Sequence, residues 1–491
     1  MSRPTPLSGF PELLPAQRLA EQIVLDTLRN VFELHGFAPV ETRAVETLEQ
    51  LTRKGEIDKE VYVLRRLQAD DGAGDSGLGL HFDLTVPFAR YVLEQAGHLE
   101  FPFRRYQVQK AWRGERPQEG RFREFTQADI DIVGRDVLPF AADVEVAQVM
   151  AQALAALPIP PVRMQVNNRK LIQGFYEGLG APDTAVVMRA VDKLDKLPPE
   201  RVLELLGDAG LGQEQARACL SLAEIRTPDS SFAEQVRDLA QRHGAGSELL
   251  DTGIDELAGV VDACVARTPA TGRVTVEADL RIARGLDYYT GTVFEARMHG
   301  YEHLGSVCSG GRYDSLASDG RSTYPGVGLS LGVTRTLVPL FTRGELSADR
   351  SVPTAVLVAV LDEDTRAASD EAAAALRARS VPTEVAPTAA KLGRQIRHAE
   401  RRGIPYVWFP PSSTGGATDP VHSVKDIRTG VQVDADPHAW TPPPTDLRPR
   451  LVGPYTHDVA VTEDVIEDVI ERTPASPQPP AGNPSDKEPR P

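Results

Sequence analysis

The sequence predicts a multidomain protein of mixed class, in which an α+β core carries a helical insertion and precedes a small α/β domain. Three observations predict it. Two extended runs, Arg104 to Arg113 and Phe122 to Val133, flank the polar stretch Gly114 to Gly120, a pattern that suggests a long hairpin. From about Val166 to Ala270 the texture becomes Leu/Ala-rich with helical periodicity and no strand signals. From Val352 onward, strand-like and helix-like runs alternate, as a largely parallel sheet requires.

The elements follow in order. Val24, Leu25, Leu28, Val31 and Phe32 recur at helical spacing between Leu19 and Leu34, and Gly36 ends that helix. Phe37-Ala38-Pro39-Val40 reads as a short strand whose proline suggests a sheet edge. Asp70 to Gly79, rich in glycine and acid, reads as a loop. After the insertion, strands return at Val274 to Leu280 and Gly291 to Arg297. The last unit reads as strand Ala355 to Leu361, helix Thr365 to Arg379, strand Thr383 to Val385, basic helix Ala389 to Arg402 and strand Tyr406 to Phe409. Pro410 to Pro420 reads as a mobile loop. Beyond Trp440 the chain is proline-rich and acidic and is expected to be mostly disordered, with a short helix at Thr462 to Glu471. The expected units are therefore residues 1–165, 166–270, 271–345, 352–440 and the tail 441–491.

Bulk properties narrow the classes. A chain of 491 residues exceeds a single core, and 41% hydrophobic with 25% charged residues describes an ordinary soluble protein. No apolar run approaches the roughly 18 residues of a membrane span. Met1 to Pro15 has no signal-peptide pattern, and three scattered cysteines suit a reducing compartment, so a cytoplasmic location without cysteine-bound zinc is expected. The net charge of −16 by itself argues against a nucleic-acid partner. Charge is segregated, however. Lys391, Arg394, Arg397, Arg401 and Arg402 recur every three or four residues on one helix, and Lys425 to Gly430 adds a basic turn.

The most informative segment is Trp112-Arg113-Gly114-Glu115-Arg116-Pro117 with Gly120-Arg121-Phe122-Arg123-Glu124-Phe125. It sets several arginines and two acids on a hairpin whose strands can line one pocket. An arginine there binds phosphate bidentately and stays charged at any working pH. A surface hairpin with salt bridges is the plainer alternative.

This segment resembles motif 2 of the class II aminoacyl-tRNA synthetases, Leu19 through Pro39 is similar to motif 1, and Gly326 through Arg335 to motif 3, a helix opening with glycine. Arg284-Gly285-Leu286-Asp287-Tyr288-Tyr289-Thr290-Gly291 and Gly310-Gly311-Arg312-Tyr313-Asp314 resemble the two signatures of the histidine-specific members. Asp83-Leu84-Thr85-Val86-Pro87 and Val191 to Lys196 also look familial. The resemblance implies an antiparallel-sheet catalytic core, a C-terminal anticodon-binding domain, a homodimer, and L-histidine, ATP with Mg²⁺, and tRNA(His) as partners. It implies formation of histidyl-adenylate and pyrophosphate, then transfer of histidine to the terminal ribose of the tRNA. Arg113 and Arg284 would stabilise the α-phosphate, while Arg121 and Arg335 would hold the outer phosphates and the nucleotide. Glu115 and Phe125 would meet the adenine; Asp83, Thr85 and Gln127 the substrate ammonium. Asp131 shares the Gln127 face by alternation and would accept from one imidazole nitrogen while Tyr289, or Tyr288, engages the other. Lys391, Arg394, Arg397 and Arg401 would meet tRNA.

Two positions depart from the family pattern. His81-Phe82 stands where an arginine and a proline or tyrosine are usual, and Thr334 where an acid is usual. A histidine-binding regulatory relative on the same fold is the alternative. It typically lacks the anticodon domain and is expected to lose catalytic arginines.

Overall fold

The computed structural model describes residues 4–52, 60–66, 77–267, 272–282, 288–315, 317–318, 320–411 and 421–456. The strands of the main sheet are β1 (Ala38–Pro39), β2 (Phe103–Trp112), β3 (Glu124–Val133), β4 (Val162–Asn168), β5 (Arg226–Thr227), β6 (Val274–Asp279), β7 (Tyr289–Met298), β8 (Cys308–Tyr313) and β9 (Gly326–Gly332). They form one nine-stranded sheet in the order β1-β2-β3-β9-β8-β7-β4-β6-β5. Among the described residues only the β1–β2 and β4–β6 pairs of this sheet are parallel.

Strand alternation divides this sheet into two unlike faces. Ile130 and Ile132 of β3 and Val327, Leu329 and Leu331 of β9 join one apolar core. Phe32, Val146, Met150 and Leu257 meet them from helices Pro15–Leu34, Ala141–Ala155 and Glu248–Arg267. The intervening residues Gln127, Asp129 and Asp131 belong to the other face, yet all three are buried. Burying a row of polar groups is costly unless each finds a partner. That row marks the face on which function is to be sought.

The first helix starts with proline in its first turn and runs further toward the N-terminus than Leu19. Gly36, at φ +73°, turns the chain into β1. Pro39 sits on the sheet edge as expected, paired with Tyr106, whose hydroxyl donates to Glu33 of that helix at 2.6 Å.

Three readings change. The boundary near residue 166 falls inside β4, and β5 threads the helical region back into the sheet against β6. Gly326–Gly332 is a strand, and the helix begins only at Val333. Leu78 and Gly79, expected in the Asp70 to Gly79 loop, belong to the strand Leu78–Leu80, which pairs with Val45–Thr47.

The C-terminal sheet comprises β10 (Val356–Val358), β11 (Thr383–Val385), β12 (Tyr406–Phe409), β13 (Ser423–Asp426) and β14 (Gln432–Asp434), ordered β11-β10-β12-β13-β14. Its first three strands are parallel and the last two antiparallel. Val356, Val358 and Trp408 pack on one face, Leu357 and Val407 on the other, so helices Arg366–Ala378 and Leu392–Arg402 cover both. Lys391 at the N-cap of the second helix and Arg394, Arg397 and Arg401 on it are exposed. Arg402 is instead turned into an ion pair with Glu384.

The tail begins later than its composition suggests. Leu451–Val452 pairs with Ser347–Ala348, and Asp446 is buried beneath the domain. The Asp446 carboxylate accepts from Tyr406 Oη at 2.7 Å and from Arg428 at 2.7 and 2.9 Å, while its carbonyl accepts from the buried Arg350 at 2.9 Å. Arg428, expected to be part of a free basic turn, is thus committed to Asp426 and Asp446, which hold its pKa above the usual value. Removing everything after Pro444 would strip two arginines of these partners. Residues 412–420, the 462–471 helix and the 475–491 tail lie outside the described residues.

Candidate active site

The polar face of β3, β8 and β9 forms the floor of a cavity of about 510 Å³. The β2–β3 hairpin, the segment before helix Thr85–Gln95 and the start of β7 contribute its walls. Ten of the residues chosen from sequence line it: Asp83, Thr85, Arg113, Glu115, Arg121, Phe125, Gln127, Tyr288, Tyr289 and Arg335. Glu60, Phe82, Phe122, Ser306, Val307, Ser309 and Ser330 complete much of the lining and were not singled out by their motifs. Arg284 lies outside the described residues.

Each cation is held by its own contacts. The Arg113 guanidinium donates from Nε to the Phe82 carbonyl at 3.0 Å and lies 5.2 Å from the Phe125 ring centroid. Glu115 lies between Arg113 at 3.8 Å and Arg121 at 3.4 Å. Arg335 donates to the Gly120 and Ser306 carbonyls at 2.8 and 2.7 Å, tying the helix from Val333 to the hairpin tip. Converging guanidinium groups of this kind suit a polyphosphate, which needs fixed positive charge on several oxygens at once.

Beside them stand acceptors suited to an ammonium. Asp83 is buried, and one of its oxygens accepts from Val86 N at 3.0 Å. Gln127 is 8% exposed, its Nε2 donates to Ser330 Oγ at 2.6 Å, and its Oε1 is buried without a hydrogen-bond partner among the described residues. Tyr288 and Tyr289 face each other with ring centroids 4.4 Å apart.

Asp131 is placed differently from the sequence-based expectation. It is not among the residues lining the cavity. Its carboxylate pairs with the fully buried Arg105 at 2.6 Å and accepts from Tyr313 Oη at 2.7 Å. Tyr313 in turn packs edge-on against Tyr288, centroids 6.4 Å apart. Burial and the Asp131 charge push the Tyr313 hydroxyl well above its usual range, so it stays a donor. Glycine explains how this layer fits. A Cβ at Gly328 would overlap the Asp131 carboxylate, and one at Gly326 would run into the Tyr313 ring. Asp129, between Gln127 and Asp131, accepts from Ser330 Oγ at 2.5 Å.

The two departures from the family pattern have structural explanations. His81 Nε2 lies 2.6 Å from the Lys110 carbonyl and its ring packs near Trp112, so it buttresses the hairpin. Desolvation lowers its pKa and keeps it neutral. Thr334 Oγ1 accepts from Thr126 N at 2.7 Å, fastening the last helix of the core to β3.

Known proteins match the chain along most of its length. A sequence profile described as "Histidyl-tRNA synthetase" matches residues 9–336, and one described as "Anticodon binding domain" matches 355–409. The histidine–tRNA ligase of Cutibacterium acnes is 58% identical over 463 residues, 93% of this chain and 100% of that protein. The ligase of Micrococcus luteus is also 58% identical, covering 92% of this chain and 99% of its own. The crystal structure of histidyl-tRNA synthetase from Nostoc sp. PCC 7120 superposes with a TM-score of 0.78 at 32% identity, covering 89% of this chain and 97% of that one. Shared profile, near-complete coverage and a common fold place the chain in one group: it belongs to the histidyl-tRNA synthetase family.

Proposed function

We propose that the chain is a histidine–tRNA ligase, joining L-histidine to tRNA(His) in two steps at the cavity under the β2–β3 hairpin. The single observation that supports this best is the convergence of Arg113, Arg121 and Arg335 with Asp83 and Gln127 on one cavity. In the first step the histidine carboxylate attacks the α-phosphorus of ATP in line, and pyrophosphate leaves. Arg113 neutralises charge on the α-phosphoryl oxygens as the transition state forms, with Arg284 as a second cation. Arg121 and Arg335 hold the outer phosphates and the nucleotide, with Phe125 and Glu115 toward the adenine. Mg²⁺ would accompany the nucleotide and neutralise charge on its phosphates. Asp83, Thr85 and Gln127 receive the ammonium.

Tyr288 and Tyr289 take the imidazole. Asp131 acts behind them, holding Tyr313 against Tyr288. In the second step a terminal ribose hydroxyl attacks the adenylate carbonyl, and the α-phosphate oxygen takes its proton. The exposed face of Lys391, Arg394, Arg397 and Arg401 meets the tRNA backbone despite the net charge of −16. The presence of the C-terminal domain and of Arg113, Arg121 and Arg335 favours ligase over regulatory relative. A solved chain titled as an ATP phosphoribosyltransferase regulatory subunit/histidyl-tRNA synthetase shares the fold at only 19% identity. A chain ended at Ser351 is expected to keep histidine-dependent pyrophosphate exchange and to charge tRNA at least about tenfold more slowly. Equal charging by the two forms would remove the basic helix from the tRNA site.

The working form is a homodimer in the cytoplasm. Among the described residues no helix is long and apolar enough to cross a membrane. Leu14 and Leu34, at the two ends of the first helix, are 69% and 77% exposed, and β1 lies at the end of the sheet order, which suits pairing about a two-fold axis. Sedimentation of a fully active monomer at micromolar concentration would contradict the dimer.

A further inference from the structure

Asp129 and Ser330 have no part in the chemistry just assigned, yet they touch it through Gln127. Ser330 Oγ lies between two partners: it accepts from Gln127 Nε2 at 2.6 Å and donates to Asp129 Oδ1 at 2.5 Å. Register places Ser330 directly across from Asp129, with Gln127 opposite Gly332, so the three side chains share one face of two hydrogen-bonded strands. Gln127 and Asp129 are both more than nine-tenths buried.

The proton count in this chain of groups leaves little choice. A carboxylate only accepts, and a hydroxyl has one proton to give. With Asp129 ionised, that proton is committed to Asp129, and Ser330 can only accept from its other neighbour. Gln127 must then present its NH₂ to Ser330, which turns Oε1 away from it, and Oε1 is the atom left buried without a partner among the described residues. A bound ammonium supplies the donor that this oxygen lacks. With Asp129 protonated the chain reverses. Asp129 donates to Ser330, Ser330 donates to Gln127 Oε1, and the amide turns its NH₂ toward the substrate, where it opposes an ammonium.

We propose that Asp129 and Ser330 are positioning residues that decide which end of the Gln127 amide faces the substrate ammonium. The proposal rests on Gln127 meeting that ammonium. Burial raises the Asp129 carboxyl to about 7, opposed by Arg105 from β2 and by the Ser330 bond and reinforced by Asp131 on its own strand and Asp83 from the cavity wall. Above that value the relay presents an acceptor; below it, a donor. The Michaelis constant for histidine is therefore expected to rise as pH falls through about 7, in addition to any titration of the substrate imidazole.

The test uses the full chain in histidine-dependent ATP–pyrophosphate exchange between about pH 6 and 9. Wild type is compared with Ser330→Ala, Ser330→Thr, Asp129→Asn and Gln127→Ala. Substrate titration is common to all of them and cancels in the comparison. Ser330→Ala should raise KM for histidine about tenfold, well beyond its effect on kcat or on KM for ATP, and should remove the limb near pH 7. Ser330→Thr, which restores a hydroxyl on a strand, should restore both. Asp129→Asn should abolish the pH limb; if it fails to fold beside Arg105, the serine pair carries the test. A raised KM in Gln127→Ala with no change in Ser330→Ala overturns the relay and leaves the site intact. An unchanged KM in Gln127→Ala overturns the ammonium contact, and the relay falls with it.

Discussion

Arg113→Ala is expected to slow histidine-dependent pyrophosphate exchange by about 100-fold or more, with the protein still folded by circular dichroism. The size follows from what Arg113 is and where it is held. A planar guanidinium presents a fixed fork of donors, and losing one preorganised donor to a developing oxyanion typically costs two orders of magnitude. The Phe82 carbonyl, the Phe125 ring and Glu115 fix the guanidinium within the cavity, so a neighbouring side chain does not easily replace it. Phe82 also precedes Asp83, so one backbone segment orients Arg113 and Asp83 together. Arg113→Lys should recover only part of the rate, because the point charge remains but the planar fork is lost. Exchange within a few-fold of wild type in Arg113→Ala would remove it from the reacting phosphate.

Asp131→Asn is expected to destabilise the catalytic core by about 3 kcal/mol while also weakening histidine binding. Asparagine matches the shape of Asp131 but strips Arg105 of a counter-charge 2.6 Å away in a place where that guanidinium is fully buried. Breaking a buried pair from one side leaves an uncompensated ion, and nearby Asp129 offsets only part of it. Tyr313 loses a charged acceptor in the same change, and with it the support for Tyr288. KM for histidine should therefore rise more than KM for ATP, and the denaturant midpoint should fall. Unchanged stability with lost histidine binding would instead return Asp131 to direct contact with the imidazole.

The elements legible in the sequence were those with an unbroken period. The β2–β3 hairpin and the alternating strands and helices from β10 to β12 follow the expected order and nearly the expected ends. Val162-Arg163-Met164-Gln165-Val166 alternates as a strand should, but it abuts a long helical stretch that masked it. Gly326 to Gly332 was expected in a helix through the likeness to motif 3, which opens on glycine, and forms a strand instead. Those glycines are there for space, since Gly326 and Gly328 lie against Tyr313 and Asp131. Alternation put Asp131 on the correct face, but period carries no information on depth. Only packing shows that Arg105 and Tyr313 hold it below the cavity. Proline-rich composition concealed Asp446, where one buried carboxylate ties the chain to Tyr406 and Arg428. Ser330 and Asp129 escaped notice because their role depends on register across two strands distant in sequence.

The most direct measurement of the central claim is incorporation of labelled pyrophosphate into ATP by the purified full chain, run with each amino acid in turn and followed by charging of tRNA(His). The account predicts exchange with L-histidine alone, well above background, and transfer of that histidine to the tRNA. Exchange without histidine, exchange with another amino acid at a comparable rate, or histidine binding with neither step would contradict it.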